Sequence, residues 1–534
     1  MPMSHLVHES IVRQAMQAPQ SPALTCGNDS WNYAELCSAM ESFAQGLLKL
    51  GLQPGERVAI YLEKRLENVA AMFGAAAAGG VFVPVNPLLR QHQVAHILRD
   101  CDVRILVTSA ERLAMLGGAI ADCPALKTII VTGPAIAAAS TMPTVIAWAN
   151  LLASAGAAAT SGIRPHRRID GDMAAILYTS GSTGRPKGVV LSHRNLVAGA
   201  ASVASYLGNN ADDRILSVLP LSFDYGLNQL TTAFEVGACA VLMNYLLPRD
   251  IPAAVAVHGI TGLAAVPALW TQLARQAWPQ VDTLRYITNS GGVMPQETLA
   301  SLRRMLPATK VFLMYGLTEA FRSTYLPPEE LDRRPDSIGR AIPNAEVLVL
   351  RPDGSPCAAG EPGELVHRGA LVSLGYWNDA AQTAQRFRPL PRSGTGLPLP
   401  EIAVWSGDTV KMDEEGFLYF IGRADDMIKV SGYRISPAEI EEVILASGLT
   451  AEAAALGVPH PALGQAIVIV AKRAGKDVTP ATLLQECRRC LPAYMLPSHI
   501  AVNEEDLPRN PNGKIDRKAL QAEFAGLFEN ESPS

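Results

Sequence analysis

Long hydrophobic runs, an excess of charge and a cysteine framework are all missing from this sequence. Without an unbroken apolar stretch of membrane-spanning length no clean transmembrane helix is expected; the most apolar window, Val69–Val83, is Ala/Gly-rich and flanked by ordinary soluble sequence. The N-terminus, MPMSHLVHES, lacks a basic segment followed by an apolar core, so no signal peptide is expected. A net charge of −5 and a pI near 6.1 argue against a general nucleic-acid binder, whose surface would be basic. The eight cysteines are scattered, which suits a reducing cytoplasm and no disulfide framework. Cys487 and Cys490 form a lone CxxC with no second ligand pair, and they read as two thiols on one helix rather than a metal or redox site.

What is present is a 534-residue chain with 48% hydrophobic and 18% charged residues, too long for one core. Up to about Gly162, helical and strand-like patterns alternate: Tyr33–Leu50 and Glu67–Ala78 as helices, Arg57–Leu62 and Val81–Val85 as strands. This alternation predicts α/β architecture with a largely parallel sheet. Ala135–Ser161, rich in Ala, Ser and Thr, reads as a surface connection. The α/β rhythm resumes from Met173 to about Pro327. Short strands at Val347–Leu350, Gly363–Arg368 and Phe417–Ile421, separated by PDG and EEG turns, predict a small β-rich subdomain. From Asp426 a compact α+β unit is expected, with helices at Pro437–Ser447 and Thr479–Cys490 and strands near Ala453–Val458 and Ala466–Ala471. The expected division is 1–424 and 425–534.

The stretch Ile176-Leu-Tyr-Thr-Ser-Gly-Ser-Thr-Gly-Arg-Pro-Lys-Gly188 carries the strongest chemistry. A short apolar strand runs into a Gly/Ser/Thr loop, closed by a lysine and followed by the strand Val189–Leu191. Glycines let consecutive N–H groups face one anion, hydroxyls add donors, and Lys187 adds a full positive charge. Thr179, Ser180, Gly181, Ser182, Thr183, Gly184 and Lys187 therefore form a candidate polyphosphate cradle. Pro186 excludes a Walker A loop, and the spacing around Ser182 excludes a nucleophile elbow.

With Tyr315-Gly-Leu-Thr-Glu319, Ser406-Gly-Asp408, Gly422–Arg434 and Asn512-Gly-Lys514 with Arg517 following in order, the whole chain resembles the adenylate-forming superfamily of acyl-CoA synthetases, carrier-protein-loading adenylation domains and luciferases. The stretch Leu219–Leu230 further resembles ligases of exopolysaccharide and exosortase-associated gene clusters. The resemblance implies a large N-terminal domain and a mobile C-terminal one hinged at Asp425. It implies activation of a carboxylic acid by ATP as acyl-AMP, with release of pyrophosphate, then transfer to CoA or phosphopantetheine. It assigns Mg²⁺ to Glu319, the α-phosphate to Thr318, adenine to Tyr315 beside Gly316, close nucleotide approach to Gly291 and Gly292, and the ribose to Asp408 and Arg423. Lys514 would bridge the acyl carboxylate and the α-phosphate. Gly432 and Arg434 would face the thiol, with Gly432 on the pantetheine tunnel. Lys429 is open between a solvated charge and a role, and His193 reads as structural.

At the position of the acyl pocket stand Phe223, Asp224 and Asn228. In amino-acid-activating relatives an Asp here binds the substrate ammonium, which makes an amino acid attractive. The serine those relatives carry two residues beyond the Asp is Gly226 here, and Asp224 as the cap of a helix near Tyr225 is the competing reading. A non-thiol acceptor and a catalytically dead nucleotide binder are the rival functions, the second opposed by intact Lys187, Glu319, Asp408 and Lys514. No fused carrier domain follows Lys514, so the acceptor, CoA or a separate acyl carrier protein, is expected in trans.

Overall fold

The computed structural model describes every residue except 1–3, 90, 134–142, 157–163, 180–185, 391–399, 424–427, 431–432, 461–462, 475–477, 492, 512 and 529–534. The chain forms two compact units, Met1–Val347 with His367–Val404, and Leu348–Val366 with Trp405–Ser534. The first unit is α/β throughout, as the alternating patterns predict.

One of its sheets runs in the order Thr144–Ala147, Thr128–Thr132, Val103–Ser109, Arg57–Tyr61, Val81–Pro84, Met173–Thr179, Lys187–Ser192. All neighbours are parallel except the last pair, which is an antiparallel hairpin. The other has a parallel core of Pro22–Cys26, Cys239–Leu242, Arg214–Ser217, Gly262–Ala265, Tyr286–Asn289 and Lys310–Tyr315, continued by antiparallel Thr324–Leu326 and Ser337–Ala341. Such sheets bind ligands beyond the carboxyl ends of their strands, and Thr179, Asn289 and Tyr315 are the last residues of three of these strands.

The helix Leu66–Ala77 is buried almost all round, so the apolar window is core and not membrane. Gly74 is required by close packing: a Cβ there would stand 2.8 Å from the Met40 carbonyl oxygen of the neighbouring helix Tyr33–Lys49. No helix among the described residues is long and apolar enough to cross a membrane. The surface connection expected over Ala135–Ser161 gains regular structure among the described residues. Its centre forms the edge strand Thr144–Ala147 and the helix Trp148–Gly156. Trp148 stacks on Phe43 at 4.8 Å and Leu151 fills the space beside Gly46. Two large anchors in an Ala-rich segment suffice for docking, though they leave little periodicity to read.

In the second unit the strands Tyr433–Ile435, Ile428–Val430, Gly464–Lys472 and Ala453–His460 form a sheet, with His499–Asn503 on Gly464–Lys472. Alternation along the central strand separates two cores. Ile467, Ile469 and Ala471 pack with Ile440, Ile444, Leu483 and Cys487 from the helices Pro437–Ala446 and Pro480–Cys490. Ala466, Val468 and Val470 pack with Leu507 and Leu520. Cys487 therefore sits in a core, where burial pushes its thiol up to about 11, while Cys490 is exposed. The two thiols of the CxxC do not share an environment.

Candidate functional site

The Gly/Ser/Thr stretch falls between the antiparallel strands Met173–Thr179 and Lys187–Ser192, in which Thr179 is directly opposite Lys187. Ser180, Gly181, Ser182, Thr183 and Gly184 lie outside the described residues. The ends of the loop are firmly held. Tyr178 donates its hydroxyl to Asp100, and burial pushes its phenol far above the usual range. The Asp100 carbonyl accepts from Trp377 Nε1 and Asn378 Nδ2, both at 2.8 Å. Gly188 lies against this wall: a Cβ there would come within 2.7 Å of Ile176 Cγ2 and 3.3 Å of Trp377 Cβ.

Lys187 donates to Gln382 Oε1, and its ammonium stands 5.2 Å from the centre of the Tyr376 ring. The hydroxyl of Tyr376 donates to Glu319 Oε1 at 2.6 Å. Lys187 and Glu319, 132 positions apart by their numbers, are thus gathered on one buried tyrosine. Thr318 and Glu319 open the short helical turn Thr318–Ala320 just beyond the strand Lys310–Tyr315. The backbone carbonyl of Glu319 accepts from Ser373 N–H at 2.8 Å. Beneath the turn Phe321 is fully buried at φ 40°, and Gly199 leaves it room, since a Cβ at that position would stand 2.6 Å from the ring.

Tyr315 stacks on His367 with ring centres 6.2 Å apart and planes 14° from parallel. Burial lowers His367 to about 3, so the imidazole is neutral at working pH. Gly291 has φ +86°, a conformation that favours glycine, just past the strand Tyr286–Asn289. The Asn289 side chain braces that turn by donating to the Gly292 carbonyl at 3.0 Å. Phe223 faces Gly291, whose Cβ would lie 3.8 Å from its ring.

Asp224 is the first residue of the helix Asp224–Val236 and makes no side-chain cap, so the capping reading is overturned. Its carboxylate is paired instead with Arg322 at 2.7 Å, both side chains almost wholly buried. Asn228 is buried within the helix, where it donates to Thr231 Oγ1 at 3.4 Å. Gly226 has a steric cause: a Cβ would fall 2.1 Å from the Pro220 carbonyl oxygen. A serine cannot stand there without moving the chain.

In the second unit Asp408 is buried and lies directly across the hairpin from Arg423. Its N–H donates to Ser406 Oγ, which in turn donates to the Leu365 carbonyl at 2.6 Å. The side chains of Arg423, Lys429 and Arg434, and all of Asp425 and Gly432, lie outside the described residues. Lys514 sits on an exposed turn: its N–H donates to Asn510 Oδ1 at 3.1 Å, Asn510 N–H donates back to its carbonyl, and Gly513 has φ +77°. Arg517 anchors the following helix through Glu441. His193 accepts the Val7 N–H at its Nδ1, 3.2 Å away, and so ties down the N-terminal segment. Tyr376, His367, Gln382 and Arg322 carry no motif of their own; only their contacts reveal them.

The hairpin ends Thr179 and Lys187, the Thr318-Glu319 turn past a strand end and, in the second unit, the buried strand residue Asp408 occupy the motif positions by which the sequence resembles the adenylate-forming superfamily. The descriptor "AMP-binding enzyme" matches residues 11–377, and "AMP-binding enzyme C-terminal domain" matches 439–514. The chain is 30% identical to an L-proline–[L-prolyl-carrier protein] ligase of Pseudomonas fluorescens, over 98% of this chain and 100% of that one. It is 30% identical to a long-chain-fatty-acid–CoA ligase of Escherichia coli O157:H7, over 99% and 95%. Among solved structures it is similar to ATP-bound MatB from Rhodopseudomonas palustris, with TM-score 0.84, 26% identity and 98% and 99% coverage. It is also similar to the Bacillus subtilis o-succinylbenzoate coenzyme A synthetase with ATP and magnesium, with TM-score 0.80, 26% identity and 96% and 98% coverage. This chain belongs to the AMP-binding enzyme family. It is an ATP-using, AMP-forming acid–thiol ligase.

Proposed function

We propose that the enzyme activates a small carboxylic acid as acyl-AMP, releases pyrophosphate, and passes the acyl group to CoA or to the phosphopantetheine of a separate acyl carrier protein. The observation that carries the residue assignment is the convergence of Lys187 and Glu319 on Tyr376 beside the cradle hairpin. Attack of a carboxylate on a phosphate brings two anions together, and the site must offset their repulsion. Lys187 supplies a cation at the end of the loop that would hold the phosphates, and Thr318 an O–H donor for the α-phosphate.

Glu319 fits a divalent cation. Tyr376 holds one of its oxygens, and the other takes no protein partner among the described residues. A single carboxylate suits Mg²⁺, which keeps most of its waters, and no multi-residue metal cage occurs among the described residues. When bound, Mg²⁺ would neutralise phosphate charge. Tyr315, fixed by the neutral His367, offers a face to the adenine, and the turn at Gly291 and Gly292 offers backbone to it. Asp408 would accept from the ribose hydroxyls, an acceptor-only group against a diol, with Arg423 opposite.

Lys514, on its turn, would join the acyl carboxylate and α-phosphate only in the adenylating pose. Gly432 and Arg434 would serve the thiol after rotation about Asp425. The scattered free thiols support work in the cytoplasm. The test is pyrophosphate exchange over a panel of acids, followed by thioester formation with CoA and with a phosphopantetheinylated carrier. Exchange with no acid, or exchange without thioester on either acceptor, would overturn the reading.

A further inference from the structure

The Asp224–Arg322 pair lies at the start of the helix Asp224–Val236, next to Phe223 and the Gly291 turn, beyond the carboxyl end of the strand Tyr286–Asn289. That is the face on which an acyl group would lie. Side-chain exposures are 4% for Asp224 and 3% for Arg322, so the charges compensate each other rather than meeting water. A buried carboxylate requires a cation, supplied either by a ligand or by the protein.

Here the protein supplies it, and the guanidinium is tightly placed. Nη2 donates to Asp224 Oδ2 at 2.7 Å and Nε donates to the Phe321 carbonyl at 2.7 Å. The plane covers the Tyr225 ring at 5.0 Å, while the Tyr225 hydroxyl is engaged with Thr288 Oγ1 at 2.5 Å. Nη1 is buried without a hydrogen-bond partner among the described residues, so Asp224 is the anion that balances this cation. An incoming ammonium would find its carboxylate occupied and a like charge beside it.

We propose that Arg322 is a specificity-determining residue of this ligase: by occupying the Asp224 carboxylate it removes the anion a substrate ammonium would need, and so restricts the enzyme to acids without an amino group next to the carboxylate. The inference rests on the ligase reading and names its substrate class. Matched non-hydrolysable acyl-sulfamoyl adenosines, one with and one without an α-amino group on the same carbon skeleton, test it by calorimetry. AMP serves as the control ligand. The parent enzyme is expected to bind the amino-free analogue about 100-fold more tightly, since like-charge juxtaposition costs several kcal/mol. Arg322→Met frees Asp224 and is expected to cut that preference at least about tenfold by gaining affinity for the amino analogue.

The double variant Asp224→Leu/Arg322→Met removes both charges with similar volume, which spares folding when the single change does not, and should keep the preference for the amino-free analogue. Equal affinity of the parent for both analogues, or a preference untouched by Arg322→Met, overturns the proposal while AMP binding leaves the ligase reading standing. Loss of AMP binding by the parent overturns both.

Discussion

Replacing Tyr376 by Phe isolates a single hydrogen bond at the centre of the site. The ring stays beneath Lys187, and only the hydroxyl that donates to Glu319 at 2.6 Å is lost. Hydrogen bonds to a charged group contribute roughly 1.5–3 kcal/mol. Glu319 is only half-buried, which places the effect at the lower end, about 1.5–2 kcal/mol. At about 1.36 kcal/mol per tenfold, acid-dependent pyrophosphate exchange should fall about 10- to 30-fold in kcat/KM. A carboxylate that loses its orienting partner also holds a cation less well, typically by 10- to 100-fold. Half-saturation by Mg²⁺ should therefore move upward by about tenfold or more, and excess Mg²⁺ should restore part of the rate. Tyr376→Leu removes the ring as well and should cost a further ~0.5–2 kcal/mol through Lys187. Exchange within twofold of the parent at every Mg²⁺ concentration would refute the reasoning, because Tyr376 would then be packing alone.

Lys514→Ala should nearly abolish pyrophosphate exchange while leaving thioester formation from a supplied acyl-adenylate largely intact; equal loss in both half-reactions counts against a role confined to adenylation. Gly226→Ser should lower the melting temperature and soluble yield, with a cost of at least ~1–3 kcal/mol, because the obstacle 2.1 Å away is the Pro220 backbone and cannot swing aside; an unchanged melting curve would show that the helix start yields freely. Burial lowers His193 to about 4 from 6.5, so the unfolded chain takes up the proton first, and stability is full above about pH 6.5 and declines as pH falls toward 4. The loss from His193 alone is at most ~3 kcal/mol; it is shared with His8, also lowered to about 4 and 6.4 Å away. His193→Gln should flatten the denaturation midpoint between pH 6.5 and 4, and a midpoint as pH-dependent as the parent's would exclude this histidine as the source.

Local chemistry made much of this protein legible before any coordinates. Hydrophobic periodicity and turn residues placed the helices Tyr33–Lys49, Leu66–Ala77, Pro437–Ala446 and Pro480–Cys490 to within a residue or two of their ends. The loop between Thr179 and Lys187 could be read as an anion cradle because glycine, hydroxyl and lysine act through the backbone and side chains of one short segment. The order of the motifs along the chain was enough to indicate the reaction class.

What tertiary structure alone decided is which distant residues stand beside the motif residues, since side chains brought together by packing leave no spacing to read. Tyr376 meets Glu319 across 57 positions, Gln382 meets Lys187 across 195, and Arg322 meets Asp224 across 98. From sequence Asp224 could be a cap or an ammonium ligand. Neither can be chosen from local spacing, because the answer depends on the low-dielectric space around the carboxylate and on the cation that folding delivers to it. Gly226 reads as a departure from a pattern until the Pro220 carbonyl is seen to fill the place of its Cβ.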